Sequence, residues 1–261
     1  MLTERGLVPI EDVRRGEYVY TQSGRAPVAE LYEMPPRELR KIVLETGLSV
    51  TVTPSQPLKV LNRELQYEWK AAEDLASDDH LVVRASYPEQ LPYQRLPDWQ
   101  GQPVLLDENV AYILGQFLSD GWFEEDGRRF CFYSTSQTIL RRVAAALEAC
   151  FDYRRGVEYL TYTAKLASGK ERPGQAWQIR INSSELNRYL IAAFPELAGA
   201  KATTKRIPSQ FFQSPRSVIG ALLSGMLDGD GSVHVRRNCI HYGTVSERLA
   251  DDTQLLSLIH I

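Results

Sequence analysis

The chain has 261 residues, 43% hydrophobic and 24% charged, enough apolar material for a folded interior and too little bias for disorder or a fibre. No window nears the roughly 18 uncharged apolar residues of a membrane span, and residues 1–11 show no basic-then-apolar leader, so the expectation is a cytoplasmic protein with no membrane part. The net charge of −3 hides an asymmetry: residues 1–100 hold 12 Lys and Arg against 16 Asp and Glu, whereas residues 128–248 hold 18 against 9, which fits a polyanionic partner for the second block alone or a solvated basic surface.

In chain order, the first hundred residues read as strands. Residues 17–21, 41–44 and 48–53 are rich in β-branched and aromatic side chains, with Gly, Pro and Ser at the breaks. Residues 87–103 carry Pro88, Pro92, Pro97 and Pro103, which predicts a linker or irregular arm and places a domain boundary there, between domains at 1–95 and 105–261. Residues 109–120 form an apolar helical run ended by Gly121, and 129–133 a short strand. Ser136 is expected to cap a helix reaching about Cys150, with Ile139, Leu140, Val143, Ala146 and Leu147 on one stripe. Residues 157–163 and 176–181 alternate like a hairpin, and 184–194 form another helix, giving the order αββαββα.

The pattern then begins again. Pro215 stands at the start of an apolar helix at 218–230 that also ends in glycine, Gly231; a strand follows at 239–244, and Ser246 caps a helix into Leu256. Ser136 and Ser246 each fall 15 residues beyond the helix-ending glycine, so the two halves repeat at an offset of 110, with repeat one at 107–200 and repeat two at 201–261. The second copy stops halfway, and the chain is expected to be a fragment.

Cys131, Cys150 and Cys239 form no CxxC pair, and His80, His234, His241 and His260 lack HExxH spacing, so neither a thiolate nor a histidine-rich metal site is expected. The chemistry lies at the two repeated helix ends. Gly115 with Ser119 and Gly225 with Gly229 are four apart on one face, which lets two backbones approach closely. Both copies place an aspartate before the terminal glycine, Asp120 and Asp230, whereas Asp228 is matched by Leu118 and is not shared. A carboxylate at a helix C-terminus opposes the macrodipole by roughly 0.3–1 kcal/mol, and two such ends side by side also repel. A cation would relieve both effects, and a site of carboxylates, carbonyls and water suits Mg²⁺. Beside a basic surface, this describes metal-dependent phosphodiester cleavage. One copy alone would read as a turn aspartate after a core stripe; the repetition argues for more. Arg128, Arg129, Tyr159, Tyr162, Lys165, Arg180, Arg236 and Arg237 fall on the strand side of this half, where alternation would let a β-ribbon reach phosphates and base edges.

Residues 223–231, Leu-Ser-Gly-Met-Leu-Asp-Gly-Asp-Gly, and more weakly 113–121, resemble the LAGLIDADG, or dodecapeptide, homing endonuclease motif. The resemblance implies an α+β fold in which two motif helices pack at the centre of an αββαββα pseudo-dimer, a monomer whose sheets straddle double-stranded DNA at a long recognition site. It implies that Asp120 and Asp230 bind Mg²⁺ and cut one strand each. Lys205-Arg206-Ile207-Pro208 looks like the Lys-x-Ile-Pro element of intein endonucleases, which makes Lys205 a further catalytic candidate. Upstream, residues 5–19 look like the opening of a Hint (intein splicing) domain, all-β, and 47–57 resemble its Thr-x-x-His block. Thr53 is present, but Gln56 stands in place of His, and a carboxamide is no general acid or base near neutral pH. The order, splicing domain and then dodecapeptide nuclease, is that of a large intein interrupting a host protein whose flanking exteins would be its partners. This chain, lacking an opening Cys or Ser and a closing His-Asn, is not expected to splice. The alternative reading is an intein fragment that only binds DNA or only splices.

Overall fold

The computed structural model describes residues 1–83, 91–124, 129–165, 169 and 171–260, without the side chains at 164, 165 and 258–260. Among the described residues, five α-helices and several small antiparallel sheets make a mixed α+β protein.

The amino-terminal part is built from strands; its helical turns are the short 3₁₀ turns Ile10–Asp12 and Ala72–Asp74, and residues 28–39 run without regular structure. β1 (Leu2–Thr3), β2 (Gly6–Leu7), β3 (Tyr18–Thr21) and β4 (Gly24–Pro27) form one sheet in the order β2-β1-β3-β4. β5 (Arg40–Val43) pairs with β6 (Ser49–Val52), and β7 (Pro57–Leu61), β8 (Tyr67–Ala71) and β9 (His80–Leu81) form a third sheet ordered β8-β7-β9. The β-branched stretches expected at 17–21, 41–44 and 48–53 are β3, β5 and β6. Few apolar side chains are sealed here: Val8, Val13, Val60 and Ala72 are buried, and the main core contains none of them.

That core begins at Leu96. Of the proline-rich stretch, residues 87–90 with Pro88 lie outside the described residues; the rest departs from the linker expected of it, because β10 (Arg95–Trp99) and β11 (Gln102–Leu105) form a hairpin built into the interior. Pro97 falls where the ladder shifts register, so its missing N–H removes no paired bond. Trp99 anchors the hairpin, its ring meeting Phe151 and Tyr189 edge-on at 6.1 and 5.2 Å and its indole N–H donating to Phe151 O at 3.2 Å.

α1 (Glu108–Asp120) starts at Asp107, whose carboxylate accepts from the N–H groups of Asn109 and Val110 at 3.0 and 2.9 Å. Every residue from Val110 to Leu118 is buried, so this helix is apolar all round and lies in the middle of the fold. β12 (Gly121–Phe123), β13 (Phe130–Ser134), α2 (Gln137–Phe151), β14 (Glu158–Lys165), β15 (Glu171–Arg180) and α3 (Ser184–Ala193) follow, in the αββαββα order read from the sequence. Ser136 precedes α2 but makes no side-chain capping bond, whereas Ser246 does cap the last helix, accepting from Leu249 N at 3.2 Å. The four strands order as β12-β13-β15-β14. α4 (Arg216–Asp230), the hairpin β16 (Gly231–His234) with β17 (Cys239–Tyr242), and α5 (Glu247–His260) repeat the first half of that series.

Candidate active site

The site is made where α1 and α4 cross. A Cβ built on Gly225 would stand 2.6 Å from Tyr112 O and 3.1 Å from Gly115 Cα; one on Gly115 would meet Leu222 O and lie 3.0 Å from Gly225 Cα. Tyr112 with Leu222 and Gly115 with Gly225 both keep the sequence offset of 110, so the contacts are reciprocal, as a pseudo-two-fold axis between the helices requires. Side chains fasten the crossing: Gln116 Nε2 donates to Gly225 O at 2.6 Å and Ser119 Oγ to Met226 O at 2.7 Å. Gly121 and Gly231 end the two helices alike, each N–H bonding back to the carbonyl of Phe117 or Leu227.

This crossing brings Asp120 and Asp230 together. Asp120 is half-buried, with Oδ2 3.1 Å from where a Cβ of Gly229 would be, and Asp230 is exposed beside it. Loss of water, and then the charge of Asp230, push Asp120 up to about 6, with Lys205 pulling the other way; loss of water also raises Asp230, again against Lys205.

Lys205 is almost sealed from solvent, and its three ammonium protons go to Phe117 O at 2.8 Å, Ser119 O at 3.0 Å and Gly121 O at 2.7 Å. The charge that the two helix-end carboxylates demanded is thus supplied at the C-terminus of α1, where it also answers the macrodipole. Burial lowers Lys205 to about 8, while Asp230 and Asp120 hold it up. The following residues keep it there: Ser246 Oγ donates to Lys205 O at 2.7 Å, and Ile207 N to Asp252 Oδ2 at 3.2 Å. Tyr242, whose phenol burial pushes up to about 12, stands beside both carboxylates as a neutral group.

Asp228, which repeat one lacks, has a different task. Its Oδ2 accepts from Tyr112 OH at 2.9 Å and lies 3.4 Å from Arg142 Nη1, while the Arg142 guanidinium sits 3.7 Å over the Tyr112 ring, tying α2, α1 and α4 together. Nothing in the repeat pattern pointed to that cluster.

The register of the four-stranded sheet sorts the predicted contact residues. Tyr159 is opposite Trp177 and so shares the core-facing side with Ile179 and Phe132. The other face carries Trp122, Tyr133, Tyr162 and Arg180, with Trp122–Tyr133 and Tyr133–Tyr162 ring contacts at 6.5 and 6.0 Å. Arg129 and Arg180 lie on this face, but Glu124, which no sequence pattern singled out, pairs with both at 2.5 and 3.5 Å. Arg236 and Arg237 are exposed in the turn joining β16 and β17 rather than on a strand. Arg128 and the side chain of Lys165 lie outside the described residues. In the amino-terminal part, Gln56 turns back on Thr53 through its N–H at 3.0 Å, and its carboxamide donates to Pro57 O at 3.3 Å.

Residues 217–259 match the family model of the LAGLIDADG-like domain, spanning α4 through most of α5. Over longer stretches the chain is similar to DNA gyrase A of Mycobacterium kansasii, 27% identical over 81% of this chain and 36% of that protein. It is also similar to the replication factor C small subunit of Methanocaldococcus jannaschii, 25% identical over 86% of this chain and 11% of that one, and to a DNA polymerase of Thermococcus kodakarensis, 29% identical over 64% and 10%. The chain therefore spans only a minor part of the length of these relatives. A crystal structure of the N-terminal LAGLIDADG domain of DUF199/WhiA matches with a TM-score of 0.31 at 14% identity over 59% of this chain and 62% of that one. No described helix is long and apolar enough to cross a membrane.

Proposed function

We propose that this chain is the endonuclease-bearing part of an intein, a cytoplasmic homing endonuclease of the LAGLIDADG kind that cuts both strands of DNA at a long site. The observation that carries the reading is the reciprocal glycine crossing of α1 and α4, which sets Asp120 and Asp230 side by side next to a sheet face bearing arginines and aromatic rings. Similarity to one stretch each of a gyrase, a replication factor and a polymerase is what an insert carried in different hosts would leave. The all-β amino-terminal part, with Thr53 and Gln56, fits the splicing half of such an insert, and the exteins of a host would be its partners. With both motif helices in one chain, it would act as a monomer, an internal pseudo-dimer.

The donor set fits Mg²⁺: two hard carboxylates, each raised above its usual range by desolvation, with Asp230 adding to the rise at Asp120, and no third His, Cys, Asp or Glu gathered with them among the described residues. Asp120 and Asp230 would hold it, and when bound it would supply positive charge to phosphate oxygens and a more acidic water. Lys205 keeps its charge behind the pair and fixes the end of α1, so its part is to hold Asp120 in place and to draw it toward its ionised form. The neutral Tyr242 can donate a hydrogen bond toward an anion at the same place.

The test is cleavage of plasmids carrying uninterrupted gyrase A, replication factor C or polymerase genes. Linear product with Mg²⁺, lost in both Asp120→Asn and Asp230→Asn, supports the reading; cutting that survives in both removes it. A fragment that only binds DNA would shift such plasmids in a gel without ever nicking them.

A further inference from the structure

Glu124 stands on the outer face of the four-stranded sheet and is held from several directions. Its N–H bonds to Arg129 O at 3.2 Å, Arg129 Nη1 donates to Oε2 at 2.5 Å, and Arg180 Nε lies 3.5 Å from Oε1. The thiol of Cys131, fully buried beneath it, points at Oε1 from 3.9 Å. Cys131 is opposite Arg180 in the β13–β15 ladder and follows Arg129 by two, so all four side chains belong to one face.

A carboxylate in this position weakens any purely electrostatic hold on phosphates, since it offsets part of the charge of Arg129 and Arg180 on the face that would meet the backbone. A sheet that gripped DNA only by charge would do better without it. Yet Glu124 is fixed rather than loose, and its side chain keeps 25% of its surface open, so acceptor positions remain free beyond those used by the arginines. A carboxylate held upright among donors is the group that takes a hydrogen bond from an exocyclic amino group in the major groove, and cytosine N4 is its partner there.

We propose that Glu124 is a specificity-determining residue: braced by Arg129 and Arg180, its carboxylate reads the N4 amino group of one cytosine in the target while lowering affinity for all other sequences. This rests on the sheet being a DNA face, as proposed above. The experiment selects bound duplexes from a random pool without divalent metal, using the wild type, Glu124→Gln and Glu124→Ala, and then measures binding of an unselected duplex against salt. The wild type should fix a cytosine at one position. Glu124→Gln should shift that position toward adenine, which a carboxamide reads, and Glu124→Ala should leave it without preference. Both variants should bind unselected duplex severalfold more tightly, with the slope of log K against log salt steeper by about 1, the increment of one added phosphate contact. Unchanged preferences at every position in both variants overturn the proposal, as does weaker binding of unselected duplex by proteins with wild-type melting temperatures. If the wild type itself retains no duplex, the DNA-face reading fails first and this inference goes with it.

Discussion

Asp120 titrates at about 6 in the folded protein, above the ordinary carboxylate range, because it is deprived of water and faces Asp230. Between about pH 4 and 6 the folded state therefore binds more protons than the unfolded one, and the metal-free protein loses stability as pH rises through that window. Replacing the carboxylate by an isosteric amide removes both penalties. Asp120→Asn should stabilise the metal-free protein at pH 7 by about 1–3 kcal/mol and flatten the slope between pH 4 and 6, readable as melting temperature against pH. An unchanged melting temperature at pH 7 would show that the two carboxylates do not strain each other. Lys205 acts in the opposite sense on the same group. In Lys205→Met the Asp120 carboxyl should rise further, so that Mn²⁺ or Mg²⁺ binding, followed by calorimetry, needs a higher pH to half-saturate, and Ser119 O and Gly121 O lose the lysine donor, while Phe117 O keeps the Gly121 N–H, at a cost of about 1–3 kcal/mol. Binding with the wild-type pH midpoint would separate Lys205 from the site.

At the scale of the helices, the crossing makes two glycines in one element behave oppositely. An alanine Cβ at 225 would press on Tyr112 O and Gly115 Cα, backbone atoms that cannot swing aside, whereas at Gly220, in the same helix, it would meet open space. Gly225→Ala should cost about 3 kcal/mol or more by forcing the helices apart, while Gly220→Ala should add about 0.5–1 kcal/mol through helix propensity. Denaturant midpoints of the two variants on either side of the wild type are the expected outcome, and equal shifts would mean that the helices do not meet at these residues. The crossing was legible in the sequence because small residues four apart, repeated at one offset, have few other uses. Lys205 as the cap of α1 was not, since the bond spans 84 to 88 positions and no local pattern encodes it. The hairpin at β10 and β11 was missed for a physical reason: prolines argue against a paired strand, but Pro97 sits where the ladder shifts register, and Trp99 anchors the stretch in the core alongside its ladder. Ion pairing was equally invisible to charge counting, so Arg129 and Arg180 read as free contacts until Glu124 was placed between them.

Across the whole molecule, two parts of unequal packing share one chain. The helical part owns the continuous core from Leu96 to Leu256, while the amino-terminal sheets bury few apolar side chains and lean on polar contacts. Chief among these is Glu17, almost covered, whose Oε1 and Oε2 take hydrogen bonds from Arg5 at 2.7 and 3.0 Å; that bond draws Glu17 down to about 2. A carboxyl lowered in this way stabilises above about pH 4.5 and loses that contribution as pH falls toward 2, worth about 1–2 kcal/mol once the partial exposure of Arg5 is allowed for. Asp120 runs the other way, because protonation below pH 6 relieves its strain. Acid should therefore pull the two parts apart in stability. Near pH 3, without metal, amides of β1 to β9 should exchange with solvent well before those of α1 and α4, and Glu17→Gln should bring the same early exchange to pH 6. Among the described residues the parts meet at a hydrogen bond from Gln254 to Thr46 O and where β2 approaches residues 209–213, and the buried Val8, Val13, Val60 and Ala72 stay outside the main core, so the two are expected to open separately. Simultaneous exchange of strands and helices at pH 3 would show instead that the protein unfolds as one cooperative unit.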